Sequence, residues 1–247
     1  MRARFEADGD VIVVTGGASG IGQALARAAA QAGARVVICD VDEPAMAALS
    51  DMSGISTRRL DVADRAQVFA VLGDVERQFG KIDGLVCAAA IQPRSLVHEM
   101  EAAAWERALR INLDGVVWCY QAVVAGMITR RRGSIVAFTS GLAQQGWPGA
   151  SAYAASKAAL IAFAKSAAKE IARHRVRFNL IAPGVIDTPQ YRAANAGADD
   201  AHWRGSVGVG QPQDTVGPLM FLLSEAATMT ASLISRDFAF PAQDGKP

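Results

Sequence analysis

The chain has 247 residues, of which 51% are apolar, and its formal net charge is +1. That length and apolar content suffice for one large domain or two small ones and exclude wholesale disorder. The near-zero charge argues against a nucleic-acid-binding protein or a polybasic membrane binder, because both need a concentrated positive field.

The cysteines and histidines are scattered along the chain. Cys39, Cys87 and Cys119 form no CxxC pair, which indicates three small buried apolar residues rather than a disulfide scaffold or a zinc site. The isolated histidines predict no metal site. No apolar secretory segment precedes the first predicted strand, and the longest uncharged stretch, 133–156, is too rich in Gly, Ser, Gln and Pro to cross a bilayer. We therefore expect a cytoplasmic protein without a membrane partner.

Short β-branched runs alternate with longer alanine-rich segments of helical periodicity. Several runs, such as Val-Ile-Val-Val near the start, are almost continuously apolar, which is typical of strands buried on both faces of a parallel sheet. The alternation predicts one α/β domain over residues 1–247, a doubly wound parallel sheet of about seven strands with helices on both faces. The predicted strands are Val11–Thr15, Arg35–Asp40, Ser56–Asp61, Gly84–Cys87, Ser134–Thr139, Arg175–Ile181 and Asp237–Phe240.

A glycine-rich turn lies between the first predicted strand and the first predicted helix. Glycines let the backbone approach a pyrophosphate closely, and the N-terminus of the helix offers free N–H groups to it. A turn of this kind at the start of an α/β domain indicates a dinucleotide site. Its predicted cofactor-binding residues are Gly16, Ser19, Gly20, Ile21 and Gly22.

An acidic residue, Asp40, ends the second predicted strand, eighteen residues after Gly22. A carboxylate at this position accepts hydrogen bonds from the ribose hydroxyls of an adenosine and repels a 2′-phosphate. Neither the glycine-rich turn nor the next residue, Val41, supplies a base. These charges favour NAD over NADP.

Three polar residues follow the fifth predicted strand. Ser140 comes at its end, and Tyr153 and Lys157 lie four residues apart at the start of a long helix, on one helical face. An ammonium near a phenol stabilises the phenolate, and lowering the phenol pKa by about three units takes roughly 4 kcal/mol. A Tyr–Lys pair alone is common on exposed helices, so the combination of motifs carries the prediction.

These motifs occur in one order from about Val11 to Asp244, and the chain resembles the classical short-chain dehydrogenase/reductase family. The resemblance implies a Rossmann-type fold and hydride transfer between NAD(H) and a small secondary alcohol or ketone. Tyr153 would be the general acid/base, Lys157 would lower its pKa and hold the nicotinamide ribose, and Ser140 would orient the substrate oxygen. The resemblance further implies a water held by Asn112, adenine contacts from Asp61 and Val62, backbone contacts from Ala88 and Ala90, and nicotinamide contacts from Pro183, Ile186 and Thr188.

The chain departs from the family pattern at three places. Cys87-Ala-Ala-Ala90 replaces Asn-Asn-Ala-Gly, so the side-chain bonds of those asparagines are lost. Thr230-Ala-Ser232 stands where Thr-Gly is frequent, and the tail around Pro241 replaces a Val-Asp-Gly-Gly strand end. We expect these changes to leave the fold intact and to alter the affinity for the cofactor and the contacts between subunits.

The substrate pocket is predicted from three segments, Gln92–Arg94, Leu142–Trp147 and a substrate lid over 189–213, which has no clear periodicity. Gln144, Trp147 and Tyr191 are the predicted substrate-binding residues, and they suit a ligand with an apolar or ring body and some polar groups. Arginines in these segments either reach a substrate carboxylate or are simply solvated.

Two other functions stay open, an NADPH-dependent 3-oxoacyl thioester reductase and an NAD-binding regulator without turnover.

The helical segments Tyr153–Arg173 and Trp105–Met127 are apolar nearly all round, so each needs a cover besides the sheet. In the resembled family these helices form a four-helix bundle with a symmetry mate, and a tetramer is usual. We expect a homotetramer and no nucleic-acid partner.

Overall fold

Seven parallel strands form one sheet in the computed structural model, which describes residues 4–197, 205 and 207–237. The order β3-β2-β1-β4-β5-β6-β7 reverses direction between β1 and β4, which confirms the predicted doubly wound arrangement. The strands are β1 Val11–Thr15, β2 Arg35–Asp40, β3 Ile55–Arg59, β4 Gly84–Cys87, β5 Gly133–Phe138, β6 Val176–Ala182 and β7 Leu233–Ser235.

Helices cover both faces of this sheet. They are α1 Gly20–Gln31, α2 Glu43–Ala47, α3 Arg65–Phe79, α4 Ala102–Leu109, α5 Gly115–Arg130, α6 Leu142–Gln145, α7 Ser151–Ile171, α8 Pro189–Ala194 and α9 Val216–Leu223. A π-helical turn, Arg110–Asp114, joins α4 to α5. Short 3₁₀ turns occur at Val97–Glu99, Ala172–His174 and Pro212–Thr215.

The first strand shows why the apolar runs are continuous. Val11 and Val13 belong to the core on the side of α3, α5 and α7, whereas Ile12 and Val14 belong to the core on the side of α1 and α9. Successive side chains of a strand point to opposite faces, so a strand covered on both faces needs an apolar residue at every position.

The predicted last strand is wrong in position. The chain pairs with β6 at Leu233–Ser235, before the predicted Asp237–Phe240, of which residues 238–240 lie outside the described part. Buried Asn179 sets this register, because its Nδ2 donates to the Met229 carbonyl at 3.0 Å and its Oδ1 accepts the Ser232 N–H at 3.1 Å. The third strand was predicted over Ser56–Asp61, which extends beyond the observed end of β3 at Arg59.

The segment predicted as an aperiodic lid begins as a helix. Pro189 opens α8 at a position where its missing N–H costs nothing, and the Thr188 hydroxyl accepts the Tyr191 N–H at 3.1 Å as the N-cap. Residues 198–204 and 206 of the predicted lid lie outside the described residues.

All three cysteines are free and buried, as predicted. The neighbouring Cys87 thiol and burial together raise the pKa of Cys119. Although Cys87-Ala-Ala-Ala90 lacks the asparagine side chains of the family pattern, β4 is paired on both sides, with β1 and with β5. Beyond the strand, the Ala88 N–H donates to the Thr15 carbonyl at 3.0 Å.

One helical run among the described residues, Ala102–Arg130, is long and apolar enough by composition to cross a membrane, with a mean hydropathy of 1.3. In the fold, Val116, Val123 and Met127 of this run are buried against the sheet. A core helix passes the same test of length and composition, so the run is weak evidence for a membrane span.

Candidate active site

A cleft of about 260 Å³ opens at the carboxyl ends of the strands, where the strand order reverses. This is the place at which open α/β sheets bind their ligands. The cleft brings together most of the predicted site residues, namely Gly16, Ser19, Gly20, Ile21, Gly22, Ala88, Ala90, Ser140, Tyr153, Lys157, Pro183, Ile186, Thr188 and Tyr191.

The glycine-rich turn is packed so closely that two positions admit no side chain. A Cβ on Gly16, whose φ is +65°, would lie 2.5 Å from the Ala89 nitrogen, and a Cβ on Gly22 would lie 2.3 Å from the Gly16 oxygen. The turn therefore presents bare backbone to the cleft, next to the N-terminus of α1. This cradle fits a phosphate, as the sequence predicted.

The carboxylate of Asp40 lies behind this turn and does not line the cleft itself. Its Oδ2 accepts the Ala18 N–H at 3.0 Å, and its Oδ1 accepts the N–H groups of Val41 and Asp42 at 2.8 and 3.1 Å. The facing strand residue, Arg59, forms an ion pair with Glu43 at 2.9 Å. Asp40 is therefore fixed at the turn without a basic partner in these contacts.

The predicted adenine contacts, Asp61 and Val62, lie outside the residues that line the cleft. The Asp61 carboxylate accepts the Ala63 N–H at 2.9 Å, and Val62 is buried against Gly115. Their contact with a cofactor stays a prediction.

The catalytic candidates meet where β5 ends and α7 begins. Ser140 and Tyr153 both line the cleft there, and the Ser140 side chain is close enough to act on the Tyr153 phenol. Lys157 is fully enclosed, and its Nζ donates to the Phe138 carbonyl at 2.8 Å while its own carbonyl accepts the Thr139 hydroxyl at 2.9 Å. The helix and the strand end thus hold all three side chains at one wall of the cleft.

The pKa values at this wall are set first by burial. Burial raises the pKa of Tyr153, and the neighbouring Ser140 side chain and the charge of Arg94 oppose that rise. Burial lowers the pKa of Lys157 to about 8. The Lys157 Nζ donates to the Phe138 carbonyl and lies 5.7 Å from the Tyr153 ring centroid, and its effect on the pKa of Tyr153 stays a prediction.

Asn112 lies in the π-helical turn and is completely buried behind the cleft. Its Oδ1 accepts the Ile91 N–H at 2.8 Å, and its Nδ2 donates to the Ile91 carbonyl at 2.9 Å and to the Ser156 hydroxyl at 3.1 Å. Ser156 in turn donates to the Tyr153 carbonyl at 2.7 Å. Asn112 therefore joins the loop after β4 to the catalytic helix, and one lone pair of its Oδ1 is left for a further donor.

The substrate end of the cleft differs in part from its prediction. Tyr191 lines the cleft, but Gln144 and Trp147 do not, and the Trp147 side chain is exposed at the surface. Neighbouring Leu142 and Gln145 line it instead. Arg236, which follows β7, is a lining residue that the sequence analysis missed because it misplaced that strand.

A phosphate cradle, a carboxylate at the end of β2 and a Ser–Tyr pair beside a buried lysine define a nucleotide-dependent oxidoreductase. The family model of the short chain dehydrogenases matches residues 10–199, and the chain belongs to this family of oxidoreductases, which use a nicotinamide cofactor.

Relatives with different activities resemble the chain over nearly its whole length. It is 36% identical to the 3-oxoacyl-acyl-carrier-protein reductase of Thermotoga maritima, over 93% of this chain and 97% of that one. It is also 36% identical to the cis-4-hydroxycyclohexanecarboxylate dehydrogenase of Sinomonas cyclohexanicum, over 91% of this chain and 93% of that one. The solved structure of a short-chain type dehydrogenase/reductase from Mycobacterium marinum is 29% identical, with a TM-score of 0.88, and the match covers 94% of this chain and 96% of that one.

Proposed function

We propose that the protein is an NAD-dependent oxidoreductase that transfers a hydride between NAD(H) and a small secondary alcohol or ketone. The observation that carries this proposal is the convergence of Ser140, Tyr153 and Lys157 on the cleft that also contains the phosphate cradle. A second observation is the similarity to a dehydrogenase whose name specifies a ring alcohol as its substrate.

The chain's own residues handle the proton in this reaction. In alcohol oxidation Tyr153 acts as the phenolate and accepts the hydroxyl proton of the alcohol at its Oη, becoming the neutral phenol, while Ser140 hydrogen-bonds the substrate oxygen. NAD supplies the hydride acceptor when it is bound. Lys157 keeps a cation close behind the reacting oxygen, and Asn112 holds the catalytic helix against the loop after β4 through Ser156 and Ile91.

The choice of NAD rests on the charges around Asp40. A 2′-phosphate at the end of β2 would meet this carboxylate, which the Ala18, Val41 and Asp42 N–H groups hold in place. A cofactor with two ribose hydroxyls finds an acceptor there instead. NADPH-dependent 3-oxoacyl thioester reduction is the second candidate, and the similarity to the Thermotoga maritima enzyme favours it.

One set of rate measurements tests both candidates. NADH formation is followed with a panel of secondary alcohols and sugar alcohols, and oxidation of NADH and of NADPH is followed with an acetoacetyl thioester. We expect alcohol oxidation with NAD, and a higher ratio of kcat/KM for NADP over NAD in Asp40→Ala. Asp42→Ala is the matched control, because Asp42 caps α2 two residues away. A wild-type preference for NADP, or an unchanged ratio in Asp40→Ala, contradicts the cofactor assignment.

We propose that the chain acts as a homotetramer. On α5 and α7, Trp118, Ile161 and Phe163 pack against the core with only part of their surface and leave the rest outside. A two-fold contact between copies would cover both helices at once. Light scattering behind a sizing column decides the matter, since a mass near 25.9 kDa means a monomer and contradicts the proposal.

A further inference from the structure

Arg94 is a half-buried arginine on the wall of the cleft, in the loop that follows β4. Its Nε donates to the Ala194 carbonyl at 3.3 Å, and its Nη2 donates to the Asn195 side-chain oxygen at 3.2 Å. Both distances lie at or beyond the long end of the range for such bonds. The third nitrogen, Nη1, is buried and has no hydrogen-bond partner among the described residues.

Arg177 shows how the fold satisfies a comparable arginine. It too is partly buried, and it donates to the carbonyls of Leu222, Leu223 and Ser224 at the end of α9, at 2.7, 3.3 and 3.0 Å. Burial lowers the pKa of both arginines. Arg177 therefore stabilises the fold through three acceptors. Arg94, a residue of the cleft wall, keeps one buried donor unused, which costs stability unless a further group accepts from it.

The other charged residues of the cleft wall are engaged. Arg236 contacts the Asp214 carboxylate at 3.3 Å, the ammonium of Lys157 donates to the Phe138 carbonyl, and Asp237 accepts from the Ser235 hydroxyl. In the part of the chain that the structure describes, no carboxylate lies within ion-pair distance of Arg94. Its positive charge is thus available at the cleft.

We propose that Arg94 binds a carboxylate of the substrate, so that the protein acts on hydroxy or oxo acids whose carboxylate is remote from the reacting carbon. The geometry points to a carboxylate because the two Nη atoms form one planar edge, which matches two oxygens. The assignment rests on the proposed function, since it concerns the substrate of the same cleft.

The position of Arg94 relative to the catalytic pair fits this assignment. Its charge is close enough to Tyr153 to act on the phenol, and both side chains line one cleft. Tyr191 and Asn195, from α8 and its C-terminal end, line the same cleft, and Asn195 is in contact with Arg94. One small ligand can therefore place its alcohol carbon at Tyr153 and its carboxylate at Arg94.

A matched pair of substrates tests the role of the charge. cis-4-Hydroxycyclohexanecarboxylate and its methyl ester are compared with wild-type protein and with Arg94→Gln, with NAD and with NADP. We expect Arg94→Gln to lower kcat/KM for the acid about 10- to 100-fold, mainly through KM, and to change that for the ester less than about threefold. Arg192→Gln is the control, because Arg192 lies on α8 but is exposed and pairs with Asp187.

A binding measurement separates this assignment from the proposed reaction. Cyclohexanecarboxylate has no hydroxyl to oxidise, and its binding in the presence of either reduced cofactor is measured by calorimetry. Binding to wild type that is lost in Arg94→Gln and kept in Arg192→Gln supports the anion site, even if no alcohol is oxidised and the proposed reaction fails. Equal losses for acid and ester would mean that Arg94 only holds α8, and this result overturns the assignment. Oxidation of neutral alcohols without any carboxylate binding overturns it too and leaves the proposed function standing.

Discussion

The two ends of the cleft are built in different ways. At the cofactor end, the backbone of the glycine-rich turn touches the backbone of the loop after β4, and Asp40 is held by three N–H groups. At the substrate end, Arg94 reaches α8 through two long hydrogen bonds, and the wall consists of side chains from loops and short helices.

This difference predicts which end of the cleft tolerates substitution. Backbone packed against backbone leaves no room for a different residue, so the cofactor end keeps its shape only with glycine. A wall of loop side chains changes its chemistry by single substitutions without disturbing the sheet. The relatives named for 3-oxoacyl reduction and for a ring alcohol are each 36% identical to this chain, so equally similar sequences accompany different substrates.

The largest expected effect lies where the two ends meet, at Tyr153. Tyr153→Phe keeps the ring and removes the hydroxyl that exchanges the proton, so we expect kcat to fall about 10²- to 10⁴-fold. NAD binding, measured by calorimetry, should change little, because the phosphate cradle is untouched. A variant that keeps more than about a tenth of the wild-type kcat would falsify the role of Tyr153.

A smaller effect is expected from a methyl group at the cofactor end. Gly22→Ala places a Cβ 2.3 Å from the Gly16 oxygen, and overpacking of this kind costs about 1–3 kcal/mol. Urea unfolding should show this loss, and calorimetry should show weaker NAD binding. Gly217→Ala in α9 is the matched control, because no atom outside its own helical turn and chain neighbours lies within 4 Å of its added Cβ, and the change should cost much less than Gly22→Ala. Equal effects of the two changes would contradict the close packing of the turn.

The buried ammonium of Lys157 predicts a dependence of stability on pH. Its pKa falls from 10.5 to about 8 on folding, so between these values the unfolded chain binds more protons than the folded one, and stability rises with pH. Relative to Lys157→Met, the wild type should gain about 2 kcal/mol in unfolding free energy between about pH 8 and pH 10. Urea unfolding of the wild type and of Lys157→Met without cofactor measures the difference in unfolding free energy at each pH. Other titrating groups are present in both proteins, so their contributions largely cancel in this difference. A difference that stays constant with pH would show that Lys157 keeps its ordinary pKa.

The local parts of the site could be predicted from the sequence. The glycine-rich turn and the Tyr153–Lys157 spacing depend on a few neighbouring residues and on rules of helix and turn geometry. Their positions at one cleft follow from the parallel sheet, since all strands present their carboxyl ends at one edge.

The parts that depend on distant partners could not be predicted. Asn112 bonds to Ile91, twenty-one residues away, and Asn179 sets the position of β7 through residues about fifty positions later. Arg94 is distinguished by the lack of an acidic partner among the described residues, which only the folded chain reveals. Gln144 and Trp147 belong to a predicted pocket segment, yet the turn of α6 directs Leu142 and Gln145 to the cleft instead.

The π-helical turn Arg110–Asp114 sets the rotational phase of one helix relative to the next. One residue of an α-helix corresponds to a rotation of about 100°, so the wider turn lets α4 and α5 present their side chains with independent phases. Asn112 can then face Ile91 and Ser156 while Val116 and Val123 of α5 face the sheet. Deleting one residue from this turn would restore a regular helix. Either the Asn112 side chain would then turn away from Ile91 and Ser156, or the apolar face of α5 would turn away from the sheet.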